Sequence, residues 1–378
     1  MTEFDQNEGS LWLTYRDVAQ VVNNLGHDRV MDGLTACLDA AFCDASDEWD
    51  LSEREGFHYQ EPKLGLLEWM PVMRRGERVL LKLVGYHPSN PKDNGIATIQ
   101  SLMAFFSIRS GVIESVLDGE LVTAMRTGAA SAVATRLLAS PRSDTLGIIG
   151  AGAQAVTQVH ALGRVLPLRE VLVHDIDPET ETSLADRLHP ILRDGVRVRV
   201  VDLRCLLEGS DVLSVATSVA PGEGPVFNET QGLKSGLHIN AVGSDFEGKT
   251  EIPIEVLRQA YVSPDFLSQA VREGECQQLE AHEIGQTLPE LCRSGKQTEH
   301  LRDRLTVFDS TGFALEDYVA AEWVVEQAKV LGIGNRVRFS RAGGDPKDPY
   351  ACTEFGQVVT SSAGGSRGSR SSSIELVP

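Results

Sequence analysis

Thr145-Leu-Gly-Ile-Ile-Gly-Ala-Gly-Ala-Gln-Ala155 decides the fold. The apolar run Leu146 to Ile149 meets Gly150-x-Gly152-x-x-Ala155 directly, which predicts a buried parallel strand, a tight turn and the first turn of a helix. Gly150 permits the turn. Gly152 lacks a Cβ, so backbone can approach a pyrophosphate, and Ala155 is small enough for helix to pack on strand. The helix N-terminus offers unpaired N–H groups and the positive end of its dipole to phosphate. A second apolar segment, Glu170-Val-Leu-Val-His-Asp175, follows a helical stretch and ends in an acid 23 residues beyond Gly152. A carboxylate there accepts hydrogen bonds from a ribose 2′-OH and repels a 2′-phosphate, favouring NAD over NADP. The alternative, an α/β turn whose glycines serve packing alone, explains the glycines but not the acid.

Outward from that unit, apolar strands at 146–149, 170–175, 196–201, 211–216, 237–242, 259–263 and 305–309 alternate with helical segments. That pattern predicts an α/β fold with a Rossmann-type doubly wound parallel sheet. Upstream, residues 12–43 carry helical periodicity. Leu64–Met70, Val79–Gly85, Ser101–Ile108 and Val112–Leu117 read as strands, with Arg109-Ser-Gly111 as a hairpin turn. This part is expected to be an α+β domain with a mostly antiparallel sheet. Leu121–Leu138, rich in Ala, Leu and Met, reads as one long helix, and Phe313–Leu331 as another that returns the chain to the first domain. The expected division is 1–127 with about 330–355 for substrate binding and dimerisation, and 128–329 for NAD. The Ser/Gly/Arg-rich stretch within 356–378 is expected to be a disordered tail.

At 378 residues, with 42% hydrophobic and 24% charged residues, the chain can bury a substantial core. A formal net charge of −19 argues against nucleic acid or an anionic membrane as a main partner. No apolar run is long enough to span a bilayer, and the acidic N-terminus does not resemble a signal peptide. The six cysteines show neither C-x-x-C nor zinc spacing, so reduced thiols in a cytoplasmic protein, with no metal, are expected.

Charged residues among apolar neighbours mark candidate chemistry. Lys82 interrupts the strand Val79–Gly85, either snorkelling from an edge or aimed into a cleft. Arg126 lies among small residues in Thr123-Ala-Met-Arg-Thr-Gly-Ala-Ala. It belongs either to a solvated helix face or to a bidentate carboxylate clamp. Glu68, in Leu66-Leu-Glu-Trp-Met70, is a core acid paired to a base or a ligand for a substrate amine. Asp245 follows the strand His238–Gly243 at a C-terminal strand end, where ligands bind in such sheets. It is either a turn residue or an acid/base group beside a bound ammonium. Asp309, ending Leu305–Phe308, carries the same ambiguity.

Six ordered segments are similar to the ornithine cyclodeaminase/μ-crystallin family. They are Leu81-Lys82-x-Val-x-x-His87-Pro88-x-Asn90, Arg126-Thr-x-Ala-x-Ser131, Gly150-Ala-Gly-Ala-Gln154, His238-Ile-Asn-Ala-Val-Gly-Ser-Asp-Phe-Glu-Gly-Lys-Thr-Glu251, Glu273-Gly-Glu-Cys-Gln-Gln278 and Phe308-Asp-Ser-Thr-Gly-Phe-Ala-Leu-Glu-Asp317. Within the family, Glu68-Trp-Met-Pro71 and Val84-Gly-Tyr-His-Pro88 resemble the lysine-specific, pipecolate-forming members. The resemblance, over roughly residues 12–350, implies a homodimer joined through the antiparallel sheets and an NAD regenerated in each turnover. It implies that Arg54, Lys82 and Arg126 hold the substrate carboxylate and that Asp245 is the acid/base at the α-amine. Glu68 would sit in the substrate pocket and Thr311 beside the ring-forming end. Gly150, Gly152, Ala153, Gln154, Asp175 and Thr217 would bind the cofactor. The implied activity is L-lysine to L-pipecolate plus ammonia, with a diamino acid as the small-molecule partner. Ornithine to proline is one methylene away, a difference a pocket discriminates by only about 1–3 kcal/mol. Two other classes stand beside it: an NAD(P)H-dependent cyclic-imine reductase or amino-acid dehydrogenase, and a crystallin-type binding protein without catalysis.

Overall fold

In the computed structural model, residues 9–44, 48–228, 230–294, 297–339 and 345–350 are described. The expected tail at 356–378 and Cys352 lie outside them. The first helical stretch starts later than its periodicity suggests. Ser10–Leu13 is a strand, β1, and Thr14 then caps α1 (Tyr15–Leu25). The Asp17 amide donates to Thr14 Oγ1 and the Thr14 amide to Asp17 Oδ2, so each satisfies the other's free backbone group. Helix α2 (His27–Cys43) follows.

The first sheet then forms from β2 (Trp49–Leu51), β3 (Glu55–Tyr59), β4 (Gly65–Arg74) and β5 (Arg78–Tyr86), with a short α3 (Asn90–Asn94) before β6 (Ile99–Ser107) and β7 (Ile113–Asp118). The turn expected at 109–111 is present, with Gly111 at φ 71°. The last described strand, β15 (Asn335–Val337), pairs antiparallel with β1. The order is β15-β1-β7-β6-β5-β4-β2, with β3 also on β4. Every pairing is antiparallel except β1–β7. Because strand side chains alternate between faces, Glu68 and Lys82 point inward with Met70 and Leu80, whereas Leu67, Trp69, Leu83 and Leu102 point outward.

Helix α4 (Glu120–Leu138) leads to the second sheet and is buried on nearly every side. Its small residues allow this: a Cβ on Gly128 would lie 2.6 Å from the Thr157 carbonyl oxygen. Then come β8 (Thr145–Ile149), α5 (Ala153–Val165), β9 (Glu170–His174), α6 (Pro178–Leu188), β10 (Arg197–Val200), α7 (Leu203–Gly209), β11 (Val212–Val215) and β12 (His238–Ala241). The remainder is α8 (Ile254–Gln259), β13 (Tyr261–Pro264), α9 (Leu267–Glu273), α10 (Leu288–Arg293), β14 (Thr306–Asp309) and α11 (Ala314–Leu331). This sheet is wholly parallel, in the order β10-β9-β8-β11-β12-β14-β13. Leu146, Ile148, Val171 and Val173 pack on one face, and Leu172, Leu213 and Val215 on the other, so it is covered on both sides. The order reverses between β8 and β11, which opens a crevice at their C-terminal ends.

Candidate active site

The glycine turn lies in that crevice. Gly150 has φ 89°, and a Cβ there would sit 2.6 Å from the Ala216 carbonyl oxygen beyond β11. Glycine is therefore demanded twice, by conformation and by space. The Cβ position of Gly152 meets nothing within 4 Å, and no side chain caps α5, which starts at Ala153. Open space over an uncapped helix start fits a dinucleotide pyrophosphate. Asp175, just past β9, is tied to the turn. Its Oδ2 accepts from the Ala151 amide at 2.6 Å and its Oδ1 from Asp177 at 2.8 Å. Arg187 donates to the Ala151 carbonyl from behind. Gln154 instead reaches back to α4, donating to the Ala124 carbonyl at 3.5 Å. The Thr217 amide and hydroxyl both donate to Glu251 Oε1 at 2.6 Å, so that hydroxyl offers a ligand its lone pairs rather than its proton.

A second group of charges is buried where β5, α4 and α11 meet. Lys82 is 1% exposed, with Nζ 2.9 Å from Asp317 Oδ1. Arg126 Nε lies 2.9 Å from the same oxygen, and its Nη1 lies 2.7 Å from Glu316 Oε2. Neither cation snorkels or lies on a solvated face. Burial pulls Lys82 down to about 8, with Arg126 adding to the effect and Asp317 opposing it. Burial pushes Glu316 up to about 8, only partly offset by Arg126. Burial opposes ionisation of Asp317 too, but Arg126 and Lys82 together outweigh it and hold the carboxyl below its usual range.

Arg54 lies beside this buried cluster. Its Nε is 2.8 Å from Glu273 Oε1, its Nη1 is 3.6 Å from Glu68 Oε2, and its Nη2 donates to the Thr311 and Gly312 carbonyls. Thr311 is locked: its hydroxyl donates to Asp265 and accepts from Gln269, each at 2.9 Å. Gly312, at φ 74°, lies so close to Arg126 that a Cβ would fall 2.4 Å from Nη1. The turn 311–312 thus touches both arginines. Asp309 supports that turn. It accepts from the Glu275 and Cys276 amides, and burial raises it to about 7.

A cavity of about 200 Å³ lies between β3–β5 and the segments 218–221 and 245–249, at the C-terminal ends of β11 and β12. Arg54, His58, Glu68, Tyr86, Asp245 and Lys249 line it; Lys82, Arg126 and Thr311 do not. Glu68 is both a core acid and a wall residue, with His58 Nε2 3.0 Å from its Oε1. Asp245 Oδ1 is 3.0 Å from Lys249 Nζ. Burial works against charge on that lysine, but Asp245 and then Tyr86 outweigh it and raise its pKa.

Sequence reading missed the partners: Glu316 and Asp317 for the buried cations, Glu273 for Arg54, His58 for Glu68 and Lys249 for Asp245. One signal was present. Glu316-Asp317 interrupts the small apolar helix α11 just as Arg126 interrupts α4, and such anomalies of opposite sign tend to meet. Among the described residues, Asp39, Cys43 and Cys292 also bring three potential metal ligands within 4.8 Å, yet Asp39 Oδ1 is held by Arg136 Nη2 at 2.7 Å.

Comparison with known proteins agrees with this layout. Residues 16–331 match the ornithine cyclodeaminase/mu-crystallin family, and the chain belongs to that family. It is 38% identical over 341 residues to an L-lysine cyclodeaminase of Streptomyces rapamycinicus, covering 90% of this chain and 98% of that one. A solved lysine cyclodeaminase structure, described as recognising L-lysine, L-ornithine and L-2,4-diaminobutyric acid, superposes with a TM-score of 0.87. It is 45% identical over 91% of this chain and 99% of its own. An archaeal alanine dehydrogenase dimer with bound NAD superposes at 0.76, with 29% identity over 88% of this chain and 99% of its own.

Proposed function

We propose that this chain is an NAD-dependent cyclodeaminase that converts L-lysine to L-pipecolate and ammonia. The observation that carries the reading is the convergence of Arg54, Glu68 and Asp245 on one cavity at the mouth of the dinucleotide crevice. It is supported by the similarity to two lysine cyclodeaminases.

Gly150, Gly152, Ala153, Gln154, Asp175 and Thr217 border the cofactor in this reading, which makes 128–329 the NAD-binding part. Bound NAD supplies a hydride acceptor for Cα and then the donor that reduces the ring, so no net oxidation occurs. Arg54, with Lys82 and Arg126 behind it, provides the positive field that holds the substrate carboxylate. Asp245 takes a proton from the α-ammonium, and Glu68 faces the substrate's nitrogen end. The terminal amine then closes on the imine carbon of the same molecule, a tethered attack whose effective molarity reaches about 10⁵ M or more in favourable systems. Thr311 acts through the turn it anchors.

The outer face of the first sheet suits a homodimer. Leu67, Leu83 and Leu102 lie 37–44% exposed there beside Trp69, and Phe57, 67% exposed, stacks edge-on against Trp69. A contiguous apolar face of this kind marks an interface. The free thiols among the described residues suit a reducing, cytoplasmic setting, and no described helix is long and apolar enough to cross a membrane.

The test is purified protein with trace NAD and lysine, ornithine or 2,4-diaminobutyrate, quantifying ammonia and cyclic product. Ring product and ammonia in equal amounts, without accumulating NADH, are expected. The dehydrogenase likeness gives the competing outcome, in which NADH accumulates in proportion to substrate. Asp245→Ala should abolish turnover while leaving NAD bound.

A further inference from the structure

The cyclisation has a proton requirement that Asp245 alone does not meet. L-Lysine brings two ammonium groups. The α-nitrogen must lose a proton before hydride departs, and the terminal nitrogen must lose one before its lone pair attacks. An unperturbed lysine side chain titrates near 10.4, so at neutral pH that proton needs an acceptor. In the proposed function Asp245, paired with Lys249 at 3.0 Å, takes the first proton.

We propose that His58, backed by Glu68, is the base that takes the proton from the substrate's terminal ammonium and later returns it to the departing nitrogen; this rests on the cyclodeaminase reading. His58 lines the same cavity as Asp245. Its ring packs 4.7 Å from that of Phe246, the residue after Asp245. The Glu68 carboxylate, 3% exposed, lies 3.0 Å from Nε2. It fixes the ring and stabilises the imidazolium once formed, and with Nε2–H donated to Glu68, Nδ1 carries the lone pair. Two other wall groups are engaged elsewhere: Tyr59 Oη is bonded to His87 Nε2 at 2.6 Å, and Lys249 to Asp245. Lys82 is not on the wall.

The step balances. The terminal N–H bond breaks and its proton passes to Nδ1. The freed electron pair forms the new N–C bond at the imine carbon. His58 returns its proton to the original α-nitrogen and takes the second proton from the ring nitrogen. The pair freed on the ring nitrogen forms the ring C=N bond as the bond to the α-nitrogen breaks, and that bond's electrons leave with ammonia. The only redox change is the hydride lent at the start and returned to the ring.

The experiment is a single turnover of NAD-loaded protein with L-lysine, followed at 340 nm. In the parent, absorbance rises as Cα is oxidised and decays as the ring is reduced. In His58→Gln the rise should stay within about twofold of the parent, and lysine affinity by calorimetry within about threefold, whereas the decay slows about 100-fold or more, the scale of a lost general base. In His58→Ala, added imidazole should restore the decay, which repair of a structural defect would not do. Equal slowing of both phases, an unchanged decay, or no rescue by imidazole would overturn the assignment. A parent protein that gives neither the transient nor ring product from any diamino acid would overturn the functional reading instead.

Discussion

Asp317→Asn isolates an atom that two buried cations share. Asp317 Oδ1 accepts from both Lys82 and Arg126, and all three side chains are buried. The amide keeps the shape and removes the charge. Breaking a buried ion pair on one side typically costs about 3–5 kcal/mol, because the remaining charge is stranded. Two adjustments favour the low end. Lys82, already pulled down to about 8, loses the neighbour that opposed its neutralisation. Glu316, at 2.7 Å from Arg126, loses a like charge that helped raise it and ionises more readily. We expect a loss of about 3 kcal/mol, or about 6 °C in Tm at roughly 2 °C per kcal/mol for a protein of this size. Lys82→Met in the same chain should recover most of that loss, since it removes the stranded charge. Thermal and urea unfolding of the parent, both single variants and the pair form a double-mutant cycle. If Asp317→Asn falls within about 1 kcal/mol of the parent, or the pair is no more stable than Asp317→Asn alone, the shared-carboxylate account fails.

Stability should also carry a distinctive pH profile. Glu316, raised from 4.5 to about 8, keeps its proton when folded but not when unfolded, so its contribution falls as pH rises through that window. Asp309, raised to about 7, acts with the same sign over a lower window, and Lys82, lowered to about 8, acts oppositely above pH 8. Urea midpoints should therefore decline towards pH 8, with the slope between pH 5 and 8 shallower in Glu316→Gln. Gly150→Ala places a Cβ 2.6 Å from a carbonyl oxygen at φ 89°, so NAD affinity by calorimetry should fall at least about tenfold, or about 1.4 kcal/mol. Leu83→Glu puts a charge mid-face on the exposed sheet, opposite Trp69 and Leu102, and should give a folded monomer in sedimentation velocity.

The parallel sheet was legible because each strand is a short apolar run bounded by turn residues, and its boundaries fell within about two residues. The small strands were not. Ser10–Leu13 runs directly into a helix, and Glu55–Tyr59 is a mostly exposed edge strand with little apolar content. The site divides in the same way. Lys82, Arg126 and Glu68 were readable because a charge in an apolar run is a local anomaly. What each one meets is not local: Arg126 and Glu316 are 190 residues apart, and Arg54 reaches turn carbonyls 257 and 258 residues away. Lys82 and Arg126, expected at the substrate carboxylate, are buried against Asp317 and are not among the residues that line the cavity.

The pairing of β15 with β1 bears on the order of events during synthesis. The sheet begun by residues 10–13 has an open edge until residues 335–337 arrive. Likewise Lys82 and Arg126 have no counter-charge until Glu316 and Asp317 have been made. The strands of the parallel sheet between them span 145–309, so all of them are made before either event. On the ribosome the strands of the later-made sheet are therefore complete before the last strand of the earlier one has been made. The first-made half then waits, with its cations and sheet edge exposed, for a helix and strand near the far end of the chain.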